Sequence, residues 1–352
     1  MAGGGGEHSS PTTHHSSLGT VGPFQPERLL ARGGMGEAYL ATDTRSGRRV
    51  LLKLPAPEVL GNVAAHERFA REGEALRRLN HPGVQHWVEA GRAALRPYVA
   101  LQYVEGTPLR DVLRARRRLP PAEAAGITRA LAEALAYCHA RGVVHRDVKP
   151  DNVIVTPAGR PVLIDFGSVL LEGAKRLTFS GFSGELGTPE YMAPEQVQGK
   201  RGDARTDVYA LGTLLYELLT GQPPFPAAAG EGAVHVMRRH LQDTPAPPKI
   251  PGLSPALAGV LARALRRDPE ERFRTMEAFA AALTNPEAAV ASGEVTPGWT
   301  LVAGQRAATS WSASLDEPQS WRDWARYAAI AIATLMGLVL LGILATYFKP
   351  AG

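Results

Sequence analysis

Eight consecutive residues, His145-Arg146-Asp147-Val148-Lys149-Pro150-Asp151-Asn152, and the tripeptide Asp165-Phe166-Gly167 concentrate the groups able to do chemistry. Between them, Val153-Ile154-Val155 and Pro161-Val162-Leu163-Ile164 are β-branched runs separated by the turn-forming Thr156-Pro157-Ala158-Gly159-Arg160. The pattern predicts a hairpin. Antiparallel strands return the residue entering the first one, Asn152, to the side of the residue leaving the second, Asp165. Asp147 lies on the loop feeding the same end. Two carboxylates and an amide oxygen at one mouth make a hard-oxygen site suited to a magnesium ion that also holds phosphates.

HRDVKPDN followed by DFG resembles the catalytic and metal-binding loops of eukaryotic-like protein kinases, and Lys149, two residues after Asp147, resembles their serine/threonine branch. The resemblance implies that Asp147 is the base orienting a substrate hydroxyl and that Lys149 steadies the transferring phosphoryl group. It also implies that Asn152 and Asp165 hold Mg2+, with Mn2+ as a possible substitute. The implied fold is α+β and bilobal, a small β-rich N-lobe joined to a larger α-helical C-lobe.

The elements that position these groups can be followed along the chain. Arg28-Leu29-Leu30 and Ala38-Tyr39-Leu40-Ala41 read as strands flanking Ala31-Arg32-Gly33-Gly34-Met35-Gly36. Glycines at such a turn let backbone amides approach phosphates closely. A strand rather than a helix follows, which speaks against a dinucleotide-binding unit and for the phosphate-covering hairpin of a kinase. Arg32, Gly33, Gly34, Met35 and Gly36 are the expected phosphate contacts. Ala31 stands where the family usually has its first glycine.

Lys53 sits among apolar residues in the strand Arg49–Leu54 and needs a partner. Phe69, Glu72, Leu76 and Leu79 share one helical face, so Glu72 is the carboxylate on the inward stripe, whereas Glu67 and Glu74 lie off it. Lys53 with Glu72 resembles the kinase ion pair that positions the α- and β-phosphates. Pro97–Val104 is an apolar strand breaking at Glu105-Gly106. By resemblance it is the hinge strand, with Leu101 beside the adenine and the backbone of Gln102 and Val104 holding the base.

Ile127, Leu131, Leu135 and Cys138 mark a helix that stops at Gly142 and delivers the chain to the catalytic loop. Cys138, the single cysteine, reads as a core residue. Residues 168–182 show no sustained period. Thr178, Ser180 and Ser183 are candidate phosphosites there, with Arg146 a docking cation for their phosphate. Gly187–Glu195 resembles the peptide-docking loop of serine/threonine kinases, which related small-molecule kinases lack. Thr188 is expected to contact Asp147 and Lys149, and Glu195 to pair with Arg272. Asp207 is expected to cap a helix bearing Leu211, Leu214, Leu215 and Leu218, while Ser254-Pro255 and Thr275 open two later helices. The fold is expected to close near 285.

With 352 residues and 44% hydrophobic content the chain can build more than one domain. Its net charge of +5 comes from scattered arginines, with no basic run interleaved with aromatics, so nucleic acid is not an expected partner. Residues 1–26, rich in glycine, serine and threonine, read as a disordered tail in which His8, His14 and His15 are solvated. Residues 286–326 read as a linker and juxtamembrane segment carrying Trp299, Trp311, Trp321 and Trp324.

Tyr327–Phe348 is free of charge and long enough to span a bilayer as one transmembrane helix. Arg322 and Arg326 precede it, which predicts a single-pass protein of the cell membrane with its kinase domain cytoplasmic and residues 349–352 outside. No extracellular sensor is expected. Ala325, Ala329, Ala333 and Gly337 form a small-residue face through which two copies could pair. The whole layout resembles membrane-anchored bacterial serine/threonine kinases, with the likeness covering 27–285. It implies transfer of the ATP γ-phosphoryl group to protein hydroxyls. The alternative is a pseudokinase scaffold that binds nucleotide and partners without turnover; Ala31 alone leans that way.

Overall fold

The computed structural model describes residues 19–33, 36–56, 73–93, 96–171, 188–228 and 230–300. Gly34, Met35, Glu72, Thr178, Ser180, Ser183 and the apolar run 327–348 lie outside them. Among the described residues no helix is long and apolar enough to cross a membrane.

The first part is a five-stranded antiparallel sheet of β1 (Phe24–Gly33), β2 (Gly36–Asp43), β3 (Arg49–Pro55), β4 (Trp87–Ala93) and β5 (Arg96–Gln102), in the order β1-β2-β3-β5-β4. β1 is longer than the expected Arg28–Leu30. Alternation divides β3 between two faces. Val50, Leu52 and Leu54 are buried in one cluster with Phe24, Tyr39, Ala41, Tyr98 and Ala100. Leu51 packs instead against the large core of the second lobe, so Lys53, two residues on, lies on the face toward that lobe.

The second lobe is helical. The short strand β6 (Thr107–Pro108) leads into α1 (Leu109–Arg116) and α2 (Pro121–His139). Then come β7 (Val143–Val144), β8 (Val153–Val155), β9 (Pro161–Leu163) and β10 (Leu170–Leu171). Five helices follow: α3 (Pro194–Val197), α4 (Ala204–Thr220), α5 (Ala233–Gln242), α6 (Pro255–Ala264) and α7 (Met276–Thr284). The sixth, α8 (Pro286–Ala291), stands where a linker is expected.

Fourteen of the residues of α4 are buried, which makes it the axis of the lobe. Its N-cap is Asp203, whose carboxylate accepts the N–H of Arg205 at 2.8 Å, and not Asp207, which lies inside the first turn and is fully buried. The helix ends at Gly221, φ 88°, where a Cβ would approach the Arg117 carbonyl to 2.8 Å. Ser254 and Thr275 cap α6 and α7 as expected, accepting the N–H groups of Leu257 and Ala278 at 3.1 and 3.2 Å.

The packed chain runs past 285. Asn285 caps α8 by accepting the Ala288 N–H at 3.0 Å. Ala289 and Val295 are buried, and the Trp299 indole donates to the Pro245 carbonyl at 3.1 Å beside the Tyr216 ring. The segment 286–300 is therefore held to the core through Ala289, Val290, Val295 and Trp299. An Asn-Pro pair is a helix-start signal, and it stands at 285–286.

Candidate active site

The hairpin predicted between the two motifs is present. Val153 faces Leu163 and Val155 faces Pro161, and the Ile164 N–H donates to the Asn152 carbonyl at 2.9 Å. Asp165 follows at once, so the ladder itself carries Asp165 and Asn152 to one mouth.

Within the loop the functional side chains hold one another. Lys149 Nζ donates to Asp147 Oδ2 at 2.9 Å. The Asn152 amide nitrogen donates to the same oxygen at 2.9 Å and to the Asp147 carbonyl at 2.8 Å. Both donors converge on one carboxylate oxygen, which leaves Oδ1 of Asp147 to accept a proton from a hydroxyl. With its nitrogen engaged, Asn152 has only its amide oxygen to offer a cation.

Lys53 Nζ stands 3.3 Å from Asp165 Oδ1. Burial raises the pKa of that carboxyl, but the charges of Lys53 and His145 outweigh it and hold the group below the usual carboxylate range. The Asp165 side chain is nonetheless 41% exposed, lying deep in a cleft that is open to solvent. Its expected role as a charged ligand is thus electrostatically reasonable. The Glu72 partner expected for Lys53 lies outside the described residues.

Below the loop, Asp207 anchors the backbone. Its two oxygens accept the backbone N–H groups of His145 and Arg146 at 2.9 and 2.7 Å, and His139 Nε2 meets Oδ2 at 2.7 Å. Burial opposes ionisation, yet the hydrogen bond and charge of His139 prevail and keep the carboxyl below its ordinary range. Arg146 and Asp165 both have positive φ, 68° and 64°, a conformation costly for residues with a Cβ. Anchoring from α4, the Gln196 side-chain bond to the Arg146 carbonyl at 3.0 Å, and the His145–Phe166 edge contact at 4.6 Å offset that cost.

A second brace was not apparent from the sequence. Arg110 on α1 reaches Asp151 at 2.9 Å and Glu217 at 2.6 Å, and Glu217 also receives the Tyr191 hydroxyl. It ties the His145–Asn152 loop to α4 and to the segment carrying Tyr191. Thr188 opens that segment, and its carbonyl accepts the Tyr191 N–H at 3.2 Å. Its expected contact with Asp147 and Lys149 is not made by hydrogen bonding among the described residues, where Asp147 Oδ2 takes Lys149 and Asn152. Glu195 and Arg272 do pair, in two parallel bonds of 2.8 Å.

At the other wall, Gly33 pairs with Gly36 at the tip of the β1–β2 hairpin. Gly36 has φ 144°, and a Cβ there would meet the Leu54 carbonyl at 2.1 Å, so only glycine fits. Ala31 pairs in register with Ala38. Arg32, expected at the phosphates, forms a 2.7 Å ion pair with Glu37 on the hairpin's own surface. At the hinge, Gln102 donates its N–H to the His86 carbonyl at 2.8 Å. Cys138 is fully buried and its thiol is pushed up to about 12 by burial, an inert core group.

The described residues hold no cluster of three or more His, Cys, Asp or Glu suited to a metal. One carboxylate and one amide fit a Mg2+ ion that takes its remaining ligands from phosphates and water.

A β-sheet lobe presenting a lysine to a hairpin aspartate, above a loop anchored on a central helix, defines a phosphoryl-transfer fold of the protein kinase class. The family described as "Protein kinase domain" matches residues 24–283, and the chain belongs to it. Similar proteins include the probable serine/threonine-protein kinase SCO3848 of Streptomyces coelicolor, 36% identical over 262 residues, 73% of this chain and 38% of that protein. Serine/threonine-protein kinase PknD of Mycobacterium tuberculosis is 41% identical over 255 residues, 72% of this chain and 38% of the relative. PknB of Mycobacterium leprae is 36% identical over 253 residues, 70% of this chain and 40% of the relative. The chain thus aligns with only about two fifths of each of these proteins.

Proposed function

We propose that this chain is an ATP- and Mg2+-dependent serine/threonine protein kinase, anchored in the cell membrane by residues 327–348 with its kinase domain cytoplasmic. The observation that carries the catalytic part is the pair of donors, Lys149 and Asn152, converging on one oxygen of Asp147 beside the Lys53–Asp165 pair. Asp147 Oδ1 takes the hydrogen bond of a serine or threonine hydroxyl, aligning its oxygen for attack on the γ-phosphorus as the bond to the β-phosphate oxygen breaks. Lys149 lies next to the path of the transferring group and Lys53 next to the phosphates, where each offsets negative charge. Mg2+ held by Asn152 and Asp165 supplies further charge neutralisation when bound.

Autophosphorylation at Thr178, Ser180 or Ser183 would order the segment beyond β10, and Arg146 would receive the phosphate. Pairing of two copies through 325–337 would bring one kinase to the other's segment. The test is phosphate transfer from labelled ATP and Mg2+ to the full-length chain and a general acceptor protein in lipid vesicles, beside Asp147→Asn. Incorporation on serine or threonine that the variant abolishes supports the reading. Nucleotide binding without turnover in the unaltered chain overturns it in favour of a scaffold.

A further inference from the structure

Gln85, just before β4, is 2% exposed although its side chain is a primary amide. Its backbone N–H donates to the Leu163 carbonyl at 2.9 Å, which fixes it against the strand that leads to Asp165. Its side-chain Nε2 donates to the Gln102 carbonyl, also at 2.9 Å. The other end of the amide, Oε1, is buried with no hydrogen-bond partner. Val84, Leu101 and Leu163 around it are all but inaccessible, so the surroundings are apolar. A buried acceptor left unpaired is costly, and its retention marks a place where a donor arrives.

The hinge carbonyl that the amide occupies identifies the donor. Gln102 belongs to the segment where the base of the nucleotide is expected, and its carbonyl is a natural acceptor for an exocyclic amine. The two polar ends of an amide are about 2.3 Å apart, so Oε1 lies within about 5 Å of the Gln102 oxygen. An amine that reaches that carbonyl from the side of Oε1 comes within bonding reach of both oxygens, and a single NH2 carries two hydrogens, one for each acceptor.

We propose that Gln85 is a base-reading residue: its Oε1 accepts a hydrogen bond from the exocyclic amine of adenine, with the Gln102 carbonyl as the neighbouring acceptor. This rests on the nucleotide-binding part of the proposed function. Gln85 makes the site selective by penalty as well as by attraction. A purine lacking the amine leaves a buried oxygen unpaired, and one bearing a carbonyl there sets acceptor against acceptor.

The test is calorimetric titration of the full-length protein in lipid nanodiscs with Mg2+ and either ADP or purine riboside diphosphate, which differs only in lacking the amine. The unaltered protein should bind ADP about 30-fold more tightly. In Gln85→Met, which conserves volume, and in Gln85→Val, that ratio should fall below about 5-fold, through weaker ADP binding and with thermal unfolding little changed. Two results overturn the inference while leaving the kinase reading intact: no preference for ADP in the unaltered protein, or a preference that both variants retain, as expected if Oε1 merely keeps a water. Failure of the unaltered protein to bind either nucleotide overturns the kinase reading itself.

Discussion

The carboxylate of Asp207 lies 2.7 Å from the backbone nitrogen of Arg146, sixty-one residues away in sequence, and holds that residue at a positive φ next to Asp147. Asp147 is thus positioned from the core of the helical lobe as well as by Lys149 and Asn152 of its own loop.

Asp207→Asn should therefore damage catalysis more than nucleotide binding. The substitution turns one accepting oxygen into a donor that faces an N–H, so the loop must shift. A displacement of about 1 Å at the reacting groups typically costs roughly 100-fold in rate. The expected result is a fall of about that size in phosphate incorporation, with the calorimetric Kd for ADP changed less than about threefold.

Glu195 and Arg272 form a bidentate pair in which Arg272 is wholly inaccessible. Glu195→Ala should leave a guanidinium buried without its counter-ion, at a cost of about 3–5 kcal/mol. Glu195→Leu combined with Arg272→Met should recover much of that loss. Urea unfolding of the three proteins checks the order, and equal losses in single and double variants would refute it.

His240 sets an acid limit on stability. It is buried against Phe225, its Nδ1 lies 2.8 Å from the Tyr209 hydroxyl, and Arg239 adjoins it. Burial first, then the Arg239 charge, push its pKa down to about 4, although the Glu190 and Pro189 carbonyls act in the opposite direction. Those carbonyls only partly compensate, since Nε2 has no partner in hydrogen-bond geometry. The unfolded chain takes up the proton first, so the contribution is complete above about pH 6.5 and is lost as the pH falls toward 4. The loss amounts to roughly 3 kcal/mol by linkage. Urea midpoints at pH 7.5 and 5 should differ clearly in the unaltered protein and less in His240→Asn.

Trp299 tests where the packed chain ends. Its indole bond to Pro245 and its contact with Tyr216 predict that Trp299→Ala costs about 2–4 kcal/mol. Trp311→Ala, in a segment read as linker, should cost less than about 0.5 kcal/mol. Thermal unfolding of both variants distinguishes a folded tail from a loose one.

The hairpin was legible because two β-branched runs flank the turn-forming segment Thr156–Arg160, and their antiparallel pairing brings Asn152 to Asp165. The Glu195–Arg272 pair and the caps at Ser254 and Thr275 were legible from motif and local signals. Asp207 was misassigned because two aspartates, 203 and 207, stand near the same helix start, and only the backbone turn of Asp203 decides which one caps. The buried carboxylate's partners are sixty residues upstream, beyond any local pattern. Gln85 escaped notice for a related reason: a glutamine between Val84 and His86 gives no periodic signal, and its hinge partner is known only once β4 lies beside β5. The end of the fold was placed at 285 because small residues predominate after it, yet Asn285-Pro286 was a start signal in plain view.

Among the described residues two backbone attachments join the lobes, beside the Lys53–Asp165 pair and the bond from the Asn80 N–H to the Tyr137 hydroxyl at 3.0 Å. One attachment is the covalent passage from Gln102 through Gly106. The other is the backbone ladder in which Leu163 donates to Gly83 and Gln85 donates to Leu163, both at 2.9 Å. A panel hung at two points swings about the line through them and resists motion in every other direction. Hinging about the line through these two attachments would move the glycine hairpin furthest and the residues around Gln85 least. A nucleotide bound as proposed would leave by that motion phosphates first and base last.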